Sequence, residues 1–221
     1  MEALAVIWAP IRTLASVAEE RRVLLGFVVT ALYAALSLVG AGFAVLGGLT
    51  RAQFQQSGGP PPGFNDLLPA FNVSIVVFAV VWPFVFWLLV SGLMQLVTRF
   101  FGGTGPFSGM LAVVGLGQAP LVILSVVGLL IGGLQIALGP GSSAATVLGS
   151  LNALLSLAAF LWFAALVVVG AAFARRVGYG QSAGSCAISC AGCAGLIILA
   201  FVVIIAIVVV ITGTLNSAGT T

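Results

Sequence analysis

Apolar residues run along this chain in long blocks, and the charged residues fall between or outside them. A helix crossing a hydrocarbon core of about 30 Å needs roughly 20 apolar residues. Five blocks meet that length, at about 23–49, 73–97, 110–138, 148–174 and 186–211. The first lies between Arg22 and Arg51, and the second stops at Arg99 with Trp82, Pro83 and Trp87 in its middle. The third carries Pro120, the fourth is closed by Arg175 and Arg176, and the fifth starts near Cys186 and ends at Ile211. The first block is too long for the roughly 7–15-residue core of a signal peptide, so it reads as an uncleaved span.

Ahead of the first span, Leu4, Ile7, Trp8, Ile11, Leu14, Ala15 and Ala18 recur at helical spacing, opposite Arg12, Ser16, Glu19 and Glu20. This pattern predicts an amphipathic helix lying flat in the cytoplasmic interface. Trp8 sits at headgroup depth, Arg12, Arg21 and Arg22 act as basic anchors, and Pro10 either kinks the helix or opens its main turn. A helix folded under the bundle as a lid is the alternative. The prediction is thus an all-α, polytopic transmembrane bundle of five helices (23–211) with an N-terminal interfacial amphipathic helix (1–22) and an external polar tail (212–221). Between spans one and two, residues 50–72 contain Gly58-Gly59-Pro60-Pro61-Pro62-Gly63, which favours an extended, solvated connection. No internal repeat is visible.

Composition strengthens this picture. Of 221 residues, 62% are hydrophobic and 5% charged, with a mean hydropathy of +1.31, whereas soluble domains carry about a quarter charged residues. Leu, Ile, Val and Phe each favour insertion by about 0.3–0.6 kcal/mol, and a central Arg opposes it by about 2.5–3.5 kcal/mol. With the N-terminus inside, Arg12, Arg21, Arg22, Arg99, Arg175 and Arg176 fall on the cytoplasmic side and only Arg51 on the other. The positive-inside rule therefore predicts a cytoplasmic N-terminus and an external C-terminus. The absence of Lys beside 29 Gly and abundant Ala, Val and Leu suggests GC-rich coding, hence the cell membrane of a prokaryote.

The net charge of +3 reflects few charges altogether and does not imply nucleic acid. Without His or Lys, and with carboxylates only at Glu2, Glu19, Glu20 and Asp66, no acid, base or nucleophile relay can be assembled within the bilayer. No enzyme activity, cofactor or metal is expected. Cys186, Cys190 and Cys193 share a helix face, but the outer two are about 10 Å apart along the axis, too far for three thiolates on one zinc. They read as small packing residues, with lipidation a lesser alternative. Gln95, Gln118, Gln135 and Asn152 are expected to bond between helices. Gly128 and Gly132 form a small-x-x-x-small pair suited to close packing in the bundle or in a dimer. The loop from Arg99 to Ser108 is glycine-rich but lacks the Lys and Ser/Thr of a P-loop, so it reads as a tight turn with aromatic anchors rather than a phosphate cradle.

Several features then fall together: Trp8-Ala9-Pro10, the loop with Arg99 and Phe101-Gly102-Gly103, the segment Gly115-Leu116-Gly117-Gln118-Ala119-Pro120-Leu121, and Trp162 before Arg175-Arg176. Together they resemble the Ypt-interacting protein (YIP) domain family of five-span membrane proteins, in its prokaryotic form. The segment from Gly115 is similar to that family's Gly-Tyr-x-x-x-Pro, with Leu116 where Tyr often stands. The resemblance covers residues 8 to 211 and implies a cytoplasmic N-terminus and a non-enzymatic role. Eukaryotic relatives bind Rab-type GTPases, form complexes with related proteins and influence membrane traffic or curvature. The acidic Asp-Leu-x-Gly-Pro motif and the long cytoplasmic extension of those relatives are missing, so Rab-type GTPase binding is not carried over. The expected role is a membrane scaffold or membrane-organising protein whose partners are the lipid bilayer and itself or other membrane proteins. The alternative is a small transporter or pore subunit, suggested by Pro83, Pro120 and the buried amides.

Overall fold

The computed structural model describes residue 6 and residues 8–48, 64–139 and 142–195, with backbone alone for 64–67. Helices are α1 (Pro10–Glu20), α2 (Val23–Leu46), α3 (Phe64–Phe100), α4 (Phe107–Gly117), α5 (Ala119–Leu138) and α6 (Ser143–Arg175). A further helix, α7, covers residues 179–195. No strand occurs among the described residues. Four segments are long and apolar enough to cross a membrane: Val23–Leu46, Leu68–Phe100, Phe107–Leu138 and Ser143–Arg175. Most of the fifth predicted span, the polar tail at 212–221, and Leu4, Ile7 and Arg51 lie outside the described residues.

The helices extend past the apolar runs that predicted them. Residues 64–72, expected in the loop, are helical, because once the Pro60–Gly63 stretch is passed only Pro69 opposes a helix there. Pro69, the sixth residue of α3, removes one backbone bond and crowds the carbonyl of residue 65. The fourth span begins early because the Ser142 side chain accepts a hydrogen bond from Ala145 N–H at 3.2 Å and caps α6. The third predicted span is two helices. Pro120 has no N–H for the Leu116 carbonyl, and the chain turns at Gln118, whose N–H reaches Gly115 O at 3.1 Å.

Close approaches fix the register. Along α2, Gly26 faces Ala112 and Gly115, Gly40 faces Leu129, and Gly47 faces Ile136, so α2 runs parallel to α4 and α5. Along α6, Gly170 meets Val113, Phe163 and Val167 meet Gly117, and Gln135 donates to Ala145 O, so α6 runs antiparallel to them. Trp87 Nε1 donates to Leu111 O at 2.8 Å and ties α3 to α4. In a bilayer, apolar burial does not drive helices together, and such close contact carries the attraction instead. Its result is that Arg12, Arg21, Arg22, Arg99, Arg175 and Arg176 gather at one end of the bundle.

Candidate functional site

The arginine end is built around the connection between α3 and α4. Helix α3 ends when Gly102 turns to φ 82°, letting its N–H reach Arg99 O at 3.1 Å and the Gly103 N–H reach Thr98 O at 2.9 Å. This paired closure satisfies the last carbonyls of the helix and favours glycine at the left-handed position. Helix α6 ends the same way at Arg176, with Val177 N–H on Ala172 O at 3.1 Å. Between the two ends, Thr104 N–H donates to Arg175 O at 3.1 Å. Gly105 lies so close to the Ala174 carbonyl that a Cβ there would overlap it.

Arg175 locks this junction. Its side chain is 3% exposed; Nε donates to Thr98 Oγ1 at 3.1 Å, and a terminal nitrogen donates to Gly103 O. Thr98 Oγ1 in turn donates to Met94 O at 2.6 Å. The bonded partners of the guanidinium are thus a hydroxyl and a peptide carbonyl. Because Phe101, Gly102, Gly103 and Thr104 spend their N–H groups on helix ends, the loop holds no free row of amides for a phosphate. Phe100, Phe101 and Phe107 are exposed beside it.

Helix α1 closes over this end. Pro10 stands in its first turn, and Leu14, Val17 and Ala18 are buried against α4 and α6, with the Ala18 carbonyl over Gly109. Of the apolar stripe predicted for this segment, Leu14 and Ala18 face the bundle together with Val17, whereas Trp8 and Ile11 do not. The outer side keeps Ile11 and Arg12 exposed, and Trp8 just ahead of the helix is 87% exposed. Arg21 adopts φ 51° at the helix end, and Arg22 binds the Glu20 carboxylate.

The remaining residues singled out by sequence divide by place. Gly115 sits against Gly26, where a Cβ would stand 2.5 Å from the Gly26 Cα. Gln118, at the helix break, is fully buried, and neither side-chain polar atom has a hydrogen-bond partner. Pro120 and the exposed Trp162 line one cleft of about 240 Å³ with Ile123 and Ala158. Gly132 has open space where a Cβ would go, and Gly128 faces Asn152 at 3.5 Å. Among the described residues, the tight approaches are instead at Gly26–Gly115, Gly170–Val113, Gly47–Ile136 and Gly105–Ala174. Cys186 is buried, Cys193 half-buried and Cys190 exposed, and all are free thiols. No group of three or more His, Cys, Asp or Glu able to hold a metal occurs among the described residues.

The sequence reading missed Thr98, Gly26, Gly105 and the buried state of Arg175. Only the adjacency of Thr98 to Arg99 and the unused glycines hinted at them. The model of the Yip1 domain family matches residues 4–213. Comparison with curated proteins and with solved structures gives no match.

Proposed function

Since the chain belongs to the Yip1 domain family of membrane proteins, we propose that it is a non-enzymatic membrane scaffold that presents its arginine end and the outer side of α1 to the cytoplasmic lipid surface and to membrane partners. The observation that carries this reading is the two-sided N-terminal segment. Leu14, Val17 and Ala18 anchor α1 to the bundle, while Trp8, Ile11 and Arg12 remain free on its outside. An aromatic ring, an aliphatic side chain and a guanidinium on one side suit an interface between headgroups and water. The same end carries the exposed Arg21, Arg99 and Arg176, which favours the cytoplasmic side and, with five spans, an external C-terminus. The absence of Lys beside abundant Gly, Ala, Val and Leu supports a prokaryotic cell membrane as its location. Rab-type GTPase binding is not part of the proposal.

The test is a Trp8→Ala/Ile11→Ala/Arg12→Ala variant, which leaves the buried face of α1 intact. Quantitative mass spectrometry of complexes isolated from native membranes is expected to show normal insertion and loss of co-isolated membrane partners or of self-association. An unchanged set of partners would overturn the scaffold reading.

A second reading, a small transporter or pore subunit, draws on the break at Gln118. Discontinuous helices and unpaired buried amides are features of solute sites. Gln118→Leu would abolish flux in proteoliposomes on that reading and leave partner recovery unchanged on the first.

A further inference from the structure

Two apolar spans, Leu68–Phe100 and Ser143–Arg175, end at the arginine junction, with Arg99 in the last turn of one and Arg175 closing the other. The two guanidinium groups lie close enough to repel each other. Like charges held together where one of them is withdrawn from water call for a counter-charge. The described chain supplies none. Among the described residues no carboxylate pairs with Arg99 or Arg175, and at this end Glu20 is bound to Arg22 while Glu19 stands on α1. Arg175 is bonded to a neutral hydroxyl and a neutral carbonyl. The helix ends offer partial negative charge, but their last carbonyls already accept from the N–H groups of Gly102, Gly103 and Val177.

Arg99, unlike Arg175, is exposed. It also continues an exposed apolar face. Val81, Val85, Leu88, Leu96 and Phe100 recur along α3 at helical spacing and are all exposed, and Arg99 falls on the same side. An uncompensated cation at the end of a lipid-facing stripe, at the depth where the spans stop, suits a phosphate with acyl chains attached. Basic sites at the ends of transmembrane helices take anionic headgroups in this way.

We propose that Arg99, with the buried charge of Arg175 beside it, binds the phosphate of an anionic glycerophospholipid of the phosphatidylglycerol class, whose acyl chains lie along the exposed face of α3. The N–H groups of residues 101–104 are spent on helix ends, so recognition falls to the guanidinium, whose planar donors suit a phosphate. A zwitterionic lipid carries its own cation beside the phosphate and brings no net counter-charge. Free phosphate or a soluble acidic peptide leaves the apolar stripe unused. The proposal rests on the scaffold reading only for the placement of this end at a lipid surface; it needs neither α1 nor a protein partner.

The test places the full chain in nanodiscs of equal parts phosphatidylglycerol and phosphatidylcholine with matched acyl chains, and identifies the lipids retained on release by native mass spectrometry. Wild type is expected to retain phosphatidylglycerol preferentially and to unfold at a higher temperature in these discs than in phosphatidylcholine alone. Arg99→Gln should lower the retained ratio of phosphatidylglycerol to phosphatidylcholine by at least about tenfold, the worth of a charge-assisted contact. Arg12→Gln makes the same change in net charge at the same end and should lower it by no more than about fivefold. The proposal is overturned if wild type retains both lipids alike or if Arg99→Gln lowers the ratio no more than Arg12→Gln. It is also overturned if inorganic phosphate, added to phosphatidylcholine discs, raises the unfolding temperature as much as phosphatidylglycerol does, which assigns the site to a free anion. Lipid retention and partner recovery are separate readouts, so failure here and failure of the scaffold reading are told apart.

Discussion

Arg175 is the one charged side chain buried among the described residues, and its bonds reach Thr98 and Gly103, more than 70 positions away in sequence. A hydrogen bond to a charged group contributes about 1.5–3 kcal/mol. Arg175→Ala also leaves the Gly103 carbonyl without that donor, so it should destabilise the folded protein by about 2–4 kcal/mol, read as an earlier midpoint in detergent unfolding. Arg175→Lys should recover only part of this, because an ammonium cannot reproduce the planar fork. Glycines at the residue scale behave oppositely by place. Gly115→Ala drives a Cβ into the backbone of Gly26 and should cost about 1–3 kcal/mol. Gly132→Ala meets open space and should be neutral or stabilise by about 0.5–1 kcal/mol through helix propensity. If Gly132 packs against a second copy of the chain, the same substitution should instead reduce self-association in a cross-linking assay.

At the scale of elements, the break between α4 and α5 was visible in sequence only as Pro120. What the proline leaves behind is an orphaned turn at Gln118, with an amide sealed inside the bundle. Replacing that amide by a similarly shaped apolar side chain removes an unmet polar group, so Gln118→Leu should raise stability by about 1–3 kcal/mol. Loss of stability in the same unfolding assay would show that the amide has a partner in the membrane. The start of α6 has a simpler cause: Ser142→Ala removes the side-chain cap and should cost about 1 kcal/mol. Propensity and capping were legible in these stretches, yet periodicity alone placed the helix start too late. A solvated first turn of Ser, Ala and Thr carries no apolar signal.

At the scale of the whole molecule, parallel packing of α2 with α4 and α5, and antiparallel packing of α6, bring six arginines to one end although they are spread from Arg12 to Arg176. If that end is cytoplasmic, a single Cys introduced at Gly178 in a background lacking the natural cysteines should react with an impermeant maleimide only from the inside. One at Gly48 should react only from the outside. The reverse pattern would invert the proposed topology.

By itself, the sequence determined the all-helical class, the membrane as solvent and the order of the spans. Each follows from local quantities: the length of an apolar run, a proline without a donor, a charge that will not cross. Tertiary structure alone decided which glycines touch, that Arg175 turns inward to bind a loop, and that α1 docks Leu14, Val17 and Ala18 on the bundle. Those depend on helix register and crossing, set by contacts between residues far apart in the chain. Gly26 and Gly132 are chemically identical in the sequence; only the backbone of Leu111 and Ala112 lying against Gly26 leaves it less room for a side chain.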